Sequence, residues 1–240
     1  MKSEFPMRLN KYLARAGYAT RRSADTLIDE GRVFINGARA QLGQKVTESD
    51  TVEIKDFSKK TYRYILYYKP RGVVTHSPSE KETDIETLIK RDHGITGLFP
   101  IGRLDKESEG LILLTDDGRI TERILSPEHG HERTYEVVVD KRVTQTFLNA
   151  LSRGVNIEGY RTKPAHTEKR LHDDVTFSIT LTEGKKHQIR RMCAHFGYQV
   201  VALKRTEMHT LSLRRLKPGG FYELKQKEIK AFTTSLGLPF

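Results

Sequence analysis

Tryptophan is absent from these 240 residues, and cysteine occurs once, as Cys193. A single thiol cannot close a disulfide within the chain, so packing alone must hold the fold, and a reducing cytoplasm is the expected setting. No run of about 18 apolar residues occurs, which leaves no candidate membrane-spanning helix. The opening MKSEFPMRLNKYLARAG lacks an uninterrupted apolar core and does not read as a secretory signal. There is no G-x-x-x-x-G-K-[ST] loop and no G-x-S-x-G elbow, so nucleotide-driven and serine-hydrolase chemistry of those types is disfavoured. His187, Cys193 and His195 do not have zinc-ligand spacing, and no metal is expected. Acid is the remaining shortage. The chain has 31 Asp+Glu against 42 Lys+Arg, a net charge of +11, which points to a polyanionic partner and first to nucleic acid.

The first sixty residues read as a separate unit. Leu9, Leu13 and Ala16 form one helical stripe stopped by Gly17; Thr20 can cap a second helix that buries Ala24, Leu27 and Ile28 and ends at Gly31. Val33-Phe34-Ile35 then meets Asn36-Gly37, a strong hairpin signal, with further short strands at Val46 and Val52–Ile54. Eight Lys/Arg lie from Arg8 to Lys45 against only Asp25, Asp29 and Glu30. So short a segment has little room for a large core, so its surface is the expected working part, with Arg8, Lys11, Arg15, Arg21 and Arg22 as RNA contacts. The string RLNKYLARAGYATRRSADTLIDEGRVFINGARA resembles an S4-type RNA-binding domain, with Thr20 where that family usually has Ser. The resemblance implies helices laid against structured RNA.

Lys55–Thr61 is short and polar and reads as a linker, dividing the chain into 1–58 and 62–240. Apolar strands follow at Tyr64–Tyr68, Leu111–Leu114, Tyr135–Val139 and Val175–Leu181, separated by helical stretches without strict alternation. That pattern predicts an α+β fold rather than a doubly wound parallel sheet.

Two stretches carry the chemistry. In FPIGRLDKESEGLILLTDDG a polar, glycine-bounded loop runs into an apolar strand, so Asp105 is held beside a rigid element where it could act on a bound group. A bare surface pairing of Asp105 with Arg103 or Lys106 fits the spacing equally well. In GKKHQIRRMCAHFG a basic segment opens a helix whose apolar positions are 189, 192, 193 and 196. From Lys185 to Arg215 eight Lys/Arg face one acid, Glu207, and cations at a helix start make a phosphate-binding surface. Lys185, Lys186, Gln188, Arg191 and Arg205 are the contacts expected there. His129 and His131 read as loop residues that are exposed or phosphate-contacting.

Together these stretches resemble the pseudouridine synthases, in particular the rRNA-modifying group with an N-terminal S4 domain. That group comprises type A, acting on small-subunit rRNA, and types B, E and F, acting on large-subunit rRNA. The wording most resembles large-subunit type F, which modifies 23S rRNA. The resemblance implies a larger catalytic domain with a mixed, mainly antiparallel sheet flanked by helices. GRLDKESEGLILLTDDG matches the signature whose loop Asp is catalytic, here Asp105. GKKHQIRRM followed by GYQVVALKR matches the motif whose Arg pairs with that Asp, here Arg190; RTYEV supplies the aromatic packed on the target base, here Tyr135. Arg103 takes the place of the Arg that helps open the RNA stem. Asp116 stands where the family more often has Asn. The implied reaction is an isomerisation of uridine to pseudouridine in an rRNA hairpin by a cytoplasmic monomer without cofactor or membrane. It needs an ionised carboxylate, which attacks C1′, adds at C6 or takes a proton. A guanidinium within ~4–6 Å would keep that carboxylate charged, and the uridine must leave its stack to be reached. Two other readings share the charge pattern: a sister synthase acting on 16S rRNA or tRNA, and a non-catalytic S4-type assembly factor.

Overall fold

The computed structural model describes residues 5–55, 61–171 and 173–238. Residues 56–60, most of the expected linker, lie outside that set. The N-terminal unit contains β1 Met7–Arg8, α1 Leu9–Arg15, α2 Arg21–Asp29, β2 Val33–Ile35, β3 Ala38–Arg39, β4 Lys45–Val46 and β5 Val52–Ile54. Thr20 caps α2 as expected: its Oγ1 accepts from Ser23 N at 3.1 Å, and Thr20 N donates back to Ser23 Oγ at 2.8 Å. Asn36 (φ 51°) and Gly37 (φ 79°) form the turn that pairs Ile35 with Ala38, a mirror-image turn whose twist suits a hairpin. Leu9, Leu13, Ala24, Ile28, Val33 and Val46 close a small core of their own.

The rest of the chain folds in the order β6 Tyr64–Lys69, α3 Ile85–His93, β7 Phe99–Ile101, β8 Glu109–Thr115, α4 Ile120–Leu125, β9 Arg133–Val139, α5 Gln145–Ser152, β10 Asn156–Ile157, β11 Tyr160–Arg161, β12 His166–Lys169, β13 Thr176–Leu181, α6 Gln188–His195, β14 Val200–Met208, β15 Leu211–Ser212, β16 Phe221–Glu223 and α7 Gln226–Ser235. Nine of the strands form one sheet, ordered β12-β13-β9-β14-β8-β6-β16, with β15 paired to β14 and β7 to β8. Only the β14–β8 pair is parallel, so the sheet is mixed and mainly antiparallel. The fold is α+β, as the irregular strand spacing predicts.

Strand alternation explains why the centre reads as continuous apolar runs. Successive side chains point to opposite faces. Tyr64, Leu66, Tyr68, Leu111 and Leu113 pack on one face, with α4 and α7; Ile65, Tyr67, Ile112 and Leu114 pack on the other, with α3. Both faces are covered, so no polar position interrupts the run. A third cluster joins β9, β13 and β14 to α5 and α6. The two halves of the sheet meet at the β14–β8 seam, where Lys204 pairs with Glu109 and Arg205 with Gly110. Gly110 has φ 105°, and a Cβ there would sit 2.3 Å from Arg205 O. A side chain at that position would prise the halves apart.

Candidate active site

The seam brings the two informative stretches together. Gly110 on β8 lies beside Arg205 on β14, Arg205 beside Tyr135 on β9, and Tyr135 beside Ile179 on β13. The Gly102–Ser108 loop enters the sheet at this level, and the Leu181–His187 segment leaves it there. Between them is a cavity of about 590 Å³ lined by Arg103, Asp105, Ser108, Tyr135, Glu183 and His187, among others. Five Lys/Arg line it (Arg103, Arg133, Lys185, Lys186 and Arg205) against two carboxylates, Asp105 and Glu183. Such a basin attracts a polyanion.

Hydrogen bonds fix the loop that carries Asp105. Thr75 Oγ1 donates to Leu104 O at 2.8 Å and accepts from Leu104 N at 3.0 Å. Ser108 N closes back on Asp105 O at 3.0 Å, and Gly72 N donates to Lys106 O at 2.8 Å. Below the loop Lys69 is fully buried, and its Nζ donates to Val73 O at 2.6 Å and Pro70 O at 2.9 Å. Burial pushes this ammonium down to about 8, although Glu107, Asp105 and Glu109 oppose the shift. Asp105 itself remains partly open to the cavity, its side chain 39% exposed.

The expected Asp105–Arg190 ion pair is not formed. Arg190 lies outside the cavity lining, donating through Nη1 to Val200 O at 2.9 Å and through Nη2 to Glu107 O at 3.2 Å. A guanidinium bridging those two carbonyls ties α6 to β14 and to the Asp105 loop. The side chain that reaches the Asp105 carboxylate is instead His187, whose Nε2 lies 3.5 Å from Oδ1. His187 occupies the N-cap of α6 with φ 51°, a left-handed conformation uncommon for a side-chain-bearing residue. The surface alternatives for Asp105 are also not realised: Lys106 pairs with Glu82 at 2.9 Å, and Arg103 is exposed at the cavity rim.

Two residues expected on an RNA-facing surface are interior. Gln188 is 4% exposed; its Nε2 donates to Glu183 Oε1 at 2.7 Å and its Oε1 accepts from Lys185 N at 2.9 Å, so it braces the helix start. Arg205 is 2% exposed, donates to Leu111 O at 2.7 Å, and leaves Nη2 buried without a partner among the described residues. Arg191 is tied to Glu158. Lys185 and Lys186 are exposed at the rim, as are Arg8, Lys11, Arg15, Arg21 and Arg22 on the N-terminal unit. Arg133, quoted only for its motif, also lines the cavity, and burial, reinforced by Arg205, pulls its guanidinium below its ordinary range while Tyr135 opposes the shift. No sequence signal separates it from a surface arginine; its position opposite Met208 on β14 does. His131 stacks on His129 and lies against His209 rather than standing free, and burial, with its two histidine neighbours, lowers its imidazole. Cys193 is fully buried, with its thiol pushed up to about 12.

The family profile described as RNA pseudouridylate synthase matches residues 63–195, and the S4 domain profile matches residues 7–52. The chain belongs to the RNA pseudouridine synthases. It is 38% identical over 228 residues to the dual-specificity RNA pseudouridine synthase RluF of Escherichia coli strain K12, covering 93% of this chain and 77% of that protein. It is 36% identical over 231 residues to the ribosomal large subunit pseudouridine synthase B of Bacillus subtilis strain 168, covering 93% and 94%. A solved structure of a pseudouridylate synthase superposes with a TM-score of 0.66 at 32% identity, covering 93% of this chain and 98% of that one. This enzyme therefore pairs an S4 RNA-binding domain with a pseudouridine synthase fold, and its substrate is RNA. No helix among the described residues is long and apolar enough to cross a membrane.

Proposed function

We propose that this pseudouridine synthase modifies a uridine in large-subunit (23S) rRNA, with Asp105 as the catalytic carboxylate. One observation carries the reading: Asp105 and Tyr135 line the same basic cavity, on opposite sides of the sheet seam. Residues 1–58 act as the RNA-binding domain and 62–240 as the catalytic domain. The target hairpin is bound by an enzyme monomer in the cytoplasm.

Isomerisation breaks the N1–C1′ bond, turns the uracil, joins C5 to C1′, and moves one proton from C5 to N1. Atoms balance without a nucleotide, metal or redox partner. Asp105 meets the target either at C1′, at C6 or as a base, and each route needs it ionised. His187 Nε2 lies 3.5 Å from Asp105 Oδ1, and five Lys/Arg line the basin around it. Tyr135 offers a flat ring to the extruded base. Arg190 acts at one remove by holding Glu107 O, two residues past Asp105. Unstacking the uridine costs a few kcal/mol, which phosphate contacts from Arg103, Lys185, Lys186 and the S4 domain offset.

Asp105→Asn should abolish pseudouridine formation in 23S rRNA while leaving RNA affinity within about twofold, because only the charge is removed. Carbodiimide mapping of transcripts treated with each form checks this, and turnover by the Asn variant would end the assignment. Extending the same mapping to 16S rRNA and tRNA tests a second reading, favoured by the words "dual-specificity" in the name of the relative from E. coli: that more than one RNA class is modified.

A further inference from the structure

The S4 domain is seated on α4, the short helix that walls one side of the cavity. α1 ends at Arg15, and the last carbonyls of a helix lack partners within it. Here an arginine of α4 reaches the last carbonyl of α1, and a second, at the leading edge of α4, reaches the turn just beyond it. Arg123 Nη2 donates to Arg15 O at 2.5 Å, and Arg119 Nη1 donates to Gly17 O at 2.8 Å. Cations at this end also complement the helix dipole.

Neither arginine is loosely held. Arg123 Nη1 donates to Leu236 O at 3.2 Å. Arg119 grips the fully buried Asp117 with Nε at 2.8 Å and Nη2 at 2.7 Å, lies 4.3 Å over the Tyr62 ring, and shares Asp117 with Tyr64 OH. Arg21 reaches Glu122 at 3.6 Å across the same junction.

The other end of α4 is anchored to the active site. Arg133 of the cavity wall donates through Nη2 to Ile124 O at 2.9 Å, and Leu125 and Pro127 line the cavity. α4 has six residues, about 9 Å of helix. A continuous set of hydrogen bonds therefore runs from the end of α1, across one short helix, to the cavity holding Asp105. Arg15 and Arg21, two of the expected RNA contacts, stand at its outer end.

We propose that Arg119 and Arg123 are specificity-determining positioning residues. By capping α1 they dock the S4 domain on α4 and fix the separation between its RNA-binding face and Asp105. The uridine that is modified is then the one lying at that separation along the bound RNA. The inference rests on the reading of Asp105 and the S4 domain given above, and it makes the docked arrangement the working one.

A covalent staple tests this directly. A Cβ built on Gly118 lies 3.6 Å from Thr20 Cβ, within the ~3.5–4.5 Å that a disulfide spans. The fully buried Cys193 does not compete. Oxidised Thr20→Cys/Gly118→Cys enzyme should keep kcat/KM on a full-length 23S transcript within about twofold of its reduced form. Inactivity on oxidation that is reversed by reductant would mean that the domains must separate, and would overturn the proposal.

Arg123→Ala should raise KM for the transcript about tenfold, the worth of one charged hydrogen bond, and spread pseudouridine to neighbouring uridines while kcat is unchanged. Arg123→Lys keeps the charge but cannot bridge both carbonyls, so it should remain impaired; full rescue by Lys would show a plain phosphate contact and sink the idea. Wild-type KM and site choice in Arg123→Ala would do the same. Asp105→Asn keeps the two failures apart: activity in that variant removes the catalytic reading, whereas the staple and the Arg123 variants report on docking alone.

Discussion

The stretches 8–45 and 185–215 each carry eight Lys/Arg, yet the fold disposes of them differently. In the first, Arg21 and Arg32 pair with Glu122 and Glu30 and Arg39 donates to Asp29 O, but the side chains of Arg8, Lys11 and Arg22 are exposed and have no hydrogen-bond or ion-pair partner among the described residues. In the second, Arg190 binds two carbonyls, Arg205 is buried in the seam, and Arg191, Lys204 and Arg214 are paired with Glu158, Glu136 and Glu228. Free cations give salt-sensitive affinity for phosphate. Cations committed to carbonyls give geometry, because a guanidinium's rigid fork fixes the backbones it bridges. The first stretch is equipped to hold RNA, the second chiefly to hold the walls of the cavity.

The largest effect should come from breaking the second kind of site. Arg205→Met keeps the aliphatic stem but strips the donor from Leu111 O at the seam beside the cavity that Asp105 and Tyr135 line. An unsatisfied buried carbonyl costs about 1–3 kcal/mol, and a misplacement near 1 Å can cost a hundredfold in rate. Both a lower melting temperature and a kcat reduced by about two orders of magnitude are expected. A kcat within twofold of wild type would make Arg205 an ordinary core residue.

Lys69 sharpens the contrast through pH. Its folded-state pKa, about 8, lies below the ordinary 10.5, so the unfolded chain binds the extra proton between those values. Folding stability must then rise with pH across that window. Lys69→Met lacks this titration. The wild-type stability, measured by urea unfolding relative to that variant, should grow by up to about 3 kcal/mol from pH 8 to 10.5. A difference that stays flat with pH would mean that the buried ammonium is not destabilised.

How much of this was legible in the sequence depends on whether the signal was local. Thr20, Asn36-Gly37 and the apolar run of β8 specify a cap, a turn and a strand by their own chemistry, and each stands where its residues predict. The family resemblance implies that Asp105 and Tyr135 belong to one site, and both line the cavity. The destinations of the arginines do not follow, because charge carries no period. Arg190 and Arg191 are adjacent on one helix, yet one bridges β14 to the Asp105 loop and the other meets the β10–β11 turn at Glu158. Arg205 is interior because β14 pairs with β8 in parallel, a register set by residues nearly a hundred positions away. His187 reaches Asp105 from a backbone in the left-handed region, a conformation that its residue type does not announce.

The smallest effect tests the division at its weakest point, between two arginines that composition treats alike. Arg22 opens α2 with an exposed guanidinium that has no partner among the described residues, whereas Arg191 already spends its charge on Glu158 and a hydrogen bond on Lys186 O at 3.4 Å. If each phosphate contact releases about one counterion, Arg22→Ala should lower the slope of log affinity against log salt by about 1. Arg191→Ala should leave the slope unchanged, because a cation already neutralised by a carboxylate releases no counterion from the RNA. Filter binding of a 23S rRNA fragment from about 50 to 200 mM salt spans the useful range. Equal slope changes in the two variants would mean that Glu158 gives up its partner on binding, and that the second stretch grips RNA as directly as the first.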